Sequence, residues 1–232
     1  MNVVPRTEWT LDQSAPLGPQ LYRILRQRII SVDLTPGSRI SEAEIAATYE
    51  LSRQPVREAF IKLAEEGLLE VRPQRGTFVR KISPAAVMDV RFVREAIEAD
   101  IVRLVAEQAD DALLKELEEQ LLEQERLTDT ESSRFIPLDE RFHRTLAEAA
   151  GKAYAWKVIE QVKGQMDRVR YLSTLHFPKR DLVAQHTDIV RAIARRDPEA
   201  AATAMRGHLR KILTDLPAIA AARPDFFDTA DD

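Results

Sequence analysis

Residues 41–79 read SEAEIAATYELSRQPVREAFIKLAEEGLLEVRPQRGTFV, and their pattern decides the fold of the first third of the chain. Ser41 and Glu44 have the spacing of a capping box, which predicts that a short helix begins there. Ser52 is a second candidate N-cap, and Pro55 suits the first turn of the helix that follows. Strand-like residues flank the turn PQRG, which predicts a β-hairpin. The stretch therefore predicts two helices followed by a hairpin.

An amphipathic segment at residues 17–32 precedes this stretch and predicts one more helix. Three helices followed by a hairpin form a winged helix-turn-helix, in which the second helix of the turn motif lies in the major groove of DNA. The first turn of that helix and the wing tip face bases and phosphates, where an arginine fork can hold guanine. The residues that we predict to contact DNA at these places are Ser52, Arg53, Gln54, Arg57, Arg75 and Gly76.

The composition of the 232 residues limits the functions that fit. Cysteine is absent, which excludes disulfides, thiolate metal sites and thiol nucleophiles. We see no apolar run of roughly eighteen residues and no apolar signal core, so we expect a cytoplasmic protein without a membrane partner. The net charge is −4, whereas residues 1–81 carry +2, which supports nucleic-acid binding only weakly. A surface helix with two arginines is also common, so the prediction depends on the whole motif.

The predicted fold class is mainly α: an N-terminal winged helix-turn-helix with a β-hairpin wing, plus a C-terminal all-α helical bundle. Helical patterns in the bundle predict six helices, at residues 84–108, 110–129, 131–150, 152–174, 179–196 and 198–216. The predicted domains are a disordered tail at 1–16, the winged domain at 17–82, the helical domain at 83–216 and a flexible acidic tail at 217–232.

Four polar residues lie on otherwise apolar helix faces of the bundle: Asp139, His143, His186 and His208. Burying one carboxylate and three imidazoles without partners is costly. A divalent metal ion (Zn²⁺, Ni²⁺, Fe²⁺ or Mn²⁺) removes that cost by taking them as ligands, and it leaves positions open for a small molecule. The alternative is a set of hydrogen-bonded core residues, in which Asp139 and His143, four residues apart, form a local hydrogen bond.

The winged module also resembles a known family. Residues 36–46, 51–60 and 75–79 closely resemble the GntR family of bacterial regulators, and the resemblance covers residues 17–81. Some members have a basic residue where this chain has Ala43, so that contact is expected to be missing. The resemblance implies DNA contacts at Ser52, Arg53, Gln54, Arg57 and Gly76.

The bundle resembles the FCD ligand-binding domain that is found behind GntR modules. The motifs that carry this resemblance are DERFHRTL at 139–146, QHTDI at 185–189 and GHL at 207–209, within a similarity that spans residues 84–214. Six helices resemble the VanR-like branch of that family. Gln185 departs from the family, because an acidic residue is common there. The resemblance implies metal ligation by Asp139, His143, His186 and His208.

A metal ion with open positions needs neighbours that recognise the rest of a ligand. Arg94 matches a family arginine that can reach the pocket, although it could instead pair with Glu98 four residues later. Arg168 or Arg170 could hold a carboxylate through two hydrogen bonds, while the other is expected at the surface. A pocket of metal and arginine favours anions, so the predicted effector is a small organic or sugar acid.

Together these features predict a homodimeric transcription factor, most simply a repressor, and not an enzyme. A homodimer would place two recognition helices on a pseudo-palindromic operator in double-stranded DNA, and the effector would change their spacing. Activation in place of repression stays open. One alternative is a metalloenzyme that activates water, although no general base is aimed at the site. Another is a DNA-binding protein whose helical domain only dimerises and whose metal is structural.

Overall fold

A computed structural model describes residues 9–127 and 132–228, except for the side chains of residues 132 and 133. The chain forms two compact units. Met1–Ser83 and Arg223–Asp232 belong to the first unit, and Pro84–Ala222 form the second. The chain therefore passes between the units twice, once after Ser83 and once after Ala222.

The first unit has the predicted order of a winged helix-turn-helix. Its elements are α1 (Leu17–Ile30), β1 (Arg39–Ile40), α2 (Glu42–Thr48), α3 (Arg53–Glu65), β2 (Leu69–Arg72) and β3 (Gly76–Val79). The strands form an antiparallel sheet in the order β1-β3-β2. β2 and β3 are the predicted hairpin, with Glu70 opposite Phe78 and Arg72 opposite Gly76.

The predicted recognition helix, α3, has one face in the core and the other in solvent. Val56, Phe60 and Leu63 are buried at helical spacing against α1, whereas Arg53 and Arg57 are exposed. The apolar spacing in the sequence therefore sets which side of α3 can meet a partner.

The two serines that we predicted as helix caps lie at the N-cap positions but form no cap hydrogen bond. Ser41 precedes α2 and Ser52 precedes α3, both with an extended backbone, and neither side chain accepts from a helix amide. The capping box of Ser41 and Glu44 therefore predicts the helix start correctly and the hydrogen bonding wrongly. Both hydroxyls are left for other partners.

The N-terminal tail, predicted as disordered at residues 1–16, has an ordered part. Trp9 and Leu11 pack, partly buried, against the apolar core of the first unit. A short polar stretch with two apolar side chains carries too little pattern to predict this docking. Residues 1–8 lie outside the described residues.

The C-terminal tail, predicted as flexible at residues 217–232, is also largely ordered. Its first residues continue the last helix, and Phe226 and Phe227 are both buried. Phe227 forms a parallel bridge with Ile82, and the backbone amide of Ile82 donates to the carbonyl oxygen of Phe226 at 2.9 Å. The tail prediction is therefore wrong here, because the two phenylalanines are buried in the first unit. Residues 229–232 lie outside the described residues.

The second unit is all helical, as predicted. Its helices are α4 (Pro84–Gln108), α5 (Asp111–Glu125), α6 (Ser132–Ala149), α7 (Ala153–Val162), α8 (Gly164–His176), α9 (Lys179–Ala194), α10 (Pro198–Arg210) and α11 (Ile212–Ala222). α10 packs against α4 and α9, and α6 packs against α4, α5 and α8. None of the helices in residues 9–127 and 132–228 is long and apolar enough to span a bilayer.

Two of the six predicted helices are each divided in two. The predicted helix at 152–174 is divided at Lys163, which follows the last residue of α7 and precedes Gly164, the first residue of α8. Its amine is buried and contacts Glu140 and, at 2.6 Å, Asp167, which holds the chain in this turn. The predicted helix at 198–216 ends at Arg210, and α11 follows it.

Candidate metal centre and nucleic-acid interface

The four polar residues singled out in the bundle meet at one point. Asp139 and His143 come from α6, His186 from α9 and His208 from α10, and all four are buried. One ligand-type atom from each lies within 4.8 Å of the others. The Nε2 atom of His208 lies 3.2 Å from that of His143 and 3.4 Å from that of His186. The inward-facing helical positions therefore converge as predicted.

Each histidine in this cluster has an oxygen facing its outer ring nitrogen, Nδ1. An Nδ1–H directed at such an oxygen leaves a lone pair on Nε2, pointing at the centre of the cluster. The oxygens belong to Glu98 at 2.5 Å from His143, Gln124 at 2.8 Å from His186 and Gln185 at 3.0 Å from His208. The hydrogen bonds to His186 and His208 favour the tautomer that a metal ion needs, whereas the Glu98 oxygen lies close to His143 Nδ1 without the alignment of a hydrogen bond.

The arrangement of these atoms fits a cation. Asp139 Oδ1 is buried without a hydrogen-bond partner among the described residues, and it lies 3.6 Å from His186 Nε2. Burial lowers the pKa of His186 to about 3 and moves the pKa of His208 well below its usual value, so these two rings are neutral and do not compensate the carboxylate charge. Facing lone pairs and a bare carboxylate oxygen repel one another unless a metal ion lies between them.

The other oxygen of Asp139 is held by a chain of buried charges. Arg170 on α8 contacts Asp139 Oδ2 and lies 3.4 Å from Asp167 Oδ1. Asp167 is bound in turn by Lys163. Burial alone would raise the pKa of Asp139, but the Arg170 guanidinium beside it holds that pKa well below the ordinary range. Asp139 is therefore an anion with a set orientation.

A cavity of about 40 Å³ borders the cluster, and two of the three predicted effector arginines line it. Arg94 is buried and pairs with Glu98 at 2.6 Å. It therefore forms the ion pair that we gave as an alternative and also lies at the pocket, as we predicted. Arg170 reaches the cavity from α8. Arg168 is fully buried, not at the surface, and it does not line this cavity.

Several residues around the site escaped the sequence analysis. Glutamine and glutamate on helices usually lie in solvent, so Gln124 gave no signal. Glu98 was noticed only as a possible partner of Arg94, and Gln185 only as a family departure. On the far side of the cavity, Asp215 accepts from Ser173 at 2.5 Å. Only the neighbourhood of a predicted ligand, as with Gln185 beside His186, could have suggested such partners.

The residues predicted to contact DNA lie on the first unit. Arg53, Arg57 and Arg75 are exposed and form no ion pair with any residue in the described ranges. Gln54 donates to Glu58 Oε1 at 2.9 Å and would have to exchange that bond to reach DNA. The wing tip turns at Gly76, whose φ of +105° is unfavourable for other residues.

A winged helix-turn-helix joined to an all-helical unit with a buried Asp–His cluster defines a class: the two-domain, DNA-binding transcriptional regulators. The family model described as "Bacterial regulatory proteins, gntR family" matches residues 17–79, and the model described as "FCD domain" matches residues 89–211. The chain belongs to the GntR family of transcriptional regulators and carries an FCD domain.

Relatives support this assignment along nearly the whole chain. The HTH-type transcriptional repressor RspR of Escherichia coli (strain K12) is 40% identical over 227 residues, which cover 95% of this chain and 97% of that protein. The HTH-type transcriptional repressor NanR of Cronobacter sakazakii is 28% identical over 77% of this chain and 76% of its own. The solved structure of E. coli McbR/YncC shares the fold, with a TM-score of 0.75 at 19% identity over 88% of this chain and 98% of that one.

Proposed function

We propose that this regulator is a repressor whose affinity for operator DNA is controlled by a small organic or sugar acid bound at a metal ion in the helical unit. The observation that carries the proposal is Asp139 Oδ1, a buried carboxylate oxygen without a hydrogen-bond partner in the described chain, facing three inward imidazoles. A structural hydrogen-bond network would satisfy that atom.

The proposed ligands are Asp139 Oδ1 and the Nε2 atoms of His143, His186 and His208. One carboxylate and three imidazoles suit Zn²⁺, Ni²⁺, Fe²⁺ or Mn²⁺. When bound, the metal ion would offer open coordination positions to a carboxylate or hydroxyl of the effector. Glu98, Gln124 and Gln185 keep the three rings oriented whether or not an effector is present.

The charges around the cavity favour an anionic effector. Its lining contains three cations, from two arginines and a lysine, and two carboxylates. Glu98 pairs with one of the arginines, so the protein charges balance, and a divalent ion would make the centre net positive. Arg94 and Arg170 already pair with Glu98 and with Asp139 and Asp167, so an effector carboxylate would have to share or exchange these bonds to use either guanidinium.

The size of the cavity supports a role for helix movement. A volume of about 40 Å³ holds a few water molecules at most, whereas ligand pockets occupy roughly 300–1,000 Å³. An organic acid can therefore enter only if the lining helices move apart. A ligand that binds the opened state better than the closed one shifts the population toward the opened state, which is the requirement for control.

The last helix provides a route for this movement along the chain. Lys211 and Asp215 of α11 line the cavity. Beyond α11, Phe226 and Phe227 are buried in the first unit, and Phe227 bridges to Ile82 just before α4 begins. A shift of α11 is thus transmitted covalently to the tail that packs in the DNA-binding unit.

The DNA side of the proposal follows from the family and from α3. A homodimer would present two α3 helices, with Ser52, Arg53, Gln54 and Arg57, to two half-sites about one helical turn apart. Arg75 and Gly76 would approach the adjacent backbone. The relatives RspR and NanR are transcriptional repressors, which supports repression here. The cytoplasm, where bacterial DNA lies, is the proposed place of action.

One combined experiment separates this function from its rivals. Metal content is measured on the purified chain, an organic-acid library is screened by thermal shift, and stabilising acids are tested for release of an operator selected from random duplexes. The proposal expects metal, operator binding and acid-dependent release in one preparation. Turnover of an acid would favour a metalloenzyme, and operator binding indifferent to every acid would favour a helical domain that only dimerises.

A further inference from the structure

A cleft of about 270 Å³ lies in the first unit between the start of α2, the start of α3 and the wing. Arg39 of β1, Ser41 before α2, Arg53 at the start of α3 and Gly76 of β3 all line it. Arg39 was not among the residues predicted to contact DNA. Its position is set by the sheet, because β1 pairs with β3 and places Arg39 opposite Phe78.

The polar groups of this cleft lack partners within the described ranges of the protein. Neither Arg39 nor Arg53 forms an ion pair or a hydrogen bond there, and the Ser41 hydroxyl forms no hydrogen bond. Glu42 borders the cleft but pairs with neither arginine. Other arginines of this unit do form ion pairs: Arg26 pairs with Glu66 at 2.9 Å, and Arg28 pairs with Asp33 at 2.7 Å.

Gly76 holds the Arg39 side chain along the wing. A Cβ atom at Gly76 would lie 3.0 Å from Arg39 Nε and 3.4 Å from Arg39 Nη2, closer than ordinary contact allows. The guanidinium therefore lies across the backbone at the start of β3, in the cleft that Arg53 also lines. Glycine at this turn therefore serves two purposes. It tolerates the positive φ, and its missing side chain leaves room for the Arg39 guanidinium.

We infer that Arg39, Arg53 and the Ser41 hydroxyl form a clamp for one backbone phosphate of the operator, with Arg39 as a DNA-contacting residue. This inference rests on the DNA-binding role proposed above. Two unpaired guanidinium groups and a hydroxyl around one cleft match the donors that bind phosphate oxygens through charge-assisted hydrogen bonds. The clamp would connect the wing and the recognition helix to the same DNA strand.

The test measures DNA affinity against salt concentration by fluorescence anisotropy, with the selected operator and with a random-sequence duplex. Each phosphate contact contributes about 0.9 to the slope of log affinity against log salt. Because the proposed homodimer makes this contact once in each half-site, Arg39→Ala should reduce the magnitude of that slope by about 1.8 and weaken binding by at least about tenfold at moderate salt. The loss should be equal on both duplexes, because a phosphate contact carries no sequence information.

Two further variants make the result specific. Arg39→Lys keeps the charge and should keep the slope, because lysine binds phosphate as a point charge. Arg23→Ala removes an exposed arginine of α1 that does not line the cleft, and it should leave the slope at the wild-type value. Urea unfolding of all variants checks that the pairing of β1 with β3 is intact.

Three outcomes overturn the inference: an unchanged slope for Arg39→Ala in a folded protein, an equal fall in slope for Arg23→Ala, or a loss confined to the operator. If Arg53→Ala loses affinity while Arg39→Ala keeps it, the clamp is wrong and the regulator function stands. If wild-type protein binds no DNA, the proposed function itself fails.

Discussion

Replacing Phe227 by alanine tests whether the end of the chain is a structural part of the DNA-binding unit. Phe227 is 4% exposed and bridges to Ile82. A buried Phe→Ala change costs about 3–5 kcal/mol, because it loses apolar burial and leaves a cavity. The first unit has about ninety residues, for which each kcal/mol shifts the melting temperature by roughly 4–8 °C. Phe227→Ala should therefore lower the melting temperature of this unit by at least about 12 °C.

The assay is circular dichroism during thermal and urea unfolding, with Phe92→Ala as the matched control. Phe92 lies on α4 with 67% exposure, so its removal should change stability by no more than about 0.5 kcal/mol. If Phe227→Ala costs less than about 1 kcal/mol, or no more than Phe92→Ala, then the tail does not pack as described, and the route from α11 to the first unit is refuted.

Four other substitutions have definite expected outcomes. Arg53→Ala and Arg57→Ala should each cost about 1–3 kcal/mol of operator affinity where a base contact is lost, and unchanged titrations for both would contradict the placement of α3. His143→Ala should abolish bound metal in elemental analysis, whereas His176→Ala, the histidine outside the cluster, should not. The Glu95 pKa is lowered by its hydrogen bond to Arg210, so the stabilisation it provides should fade as pH falls below about 4.5, and Glu95→Gln should remove that part of the pH dependence of urea unfolding.

The cluster of Asp139 and the three histidines could be predicted because each residue interrupts an apolar helix face. Helical periodicity states which side of a helix is buried, and a polar residue on that side must find a partner. The same rule located the exposed face of α3. Such predictions use the residues of one helix at a time, because the apolar pattern of a helix shows which of its own faces is buried but not which other helix packs there.

The partners that hold the site in place could not be predicted in this way. Gln124 faces His186 across 62 sequence positions, and Arg170 reaches Asp139 across 31. Long polar side chains on helices have the same pattern whether they face solvent or a buried ring. Only the packing of α5, α8 and α9 around α6 shows which of them point inward.

The ends of several helices could also not be predicted from the sequence. The helix break at Lys163 was missed although Gly164 follows it, because a single glycine inside a helical pattern does not by itself decide where a helix ends. Phe226 and Phe227 lie within a short acidic segment that resembles a tail, and Phe227 pairs with Ile82, some 140 residues earlier in the chain. Ser41 lies at a helix start and leaves its cap bond unmade.

The central claim is that an acid acts on DNA affinity through the metal centre, and one titration tests it most directly. Operator binding is measured by anisotropy while the acid selected by thermal shift is added, first to metal-loaded protein and then to the same preparation after chelation and to His143→Ala. We predict that the acid weakens operator binding at least tenfold in the loaded protein and leaves the other two unchanged. An equal response in all three would contradict the claim, because the acid would then act without the metal.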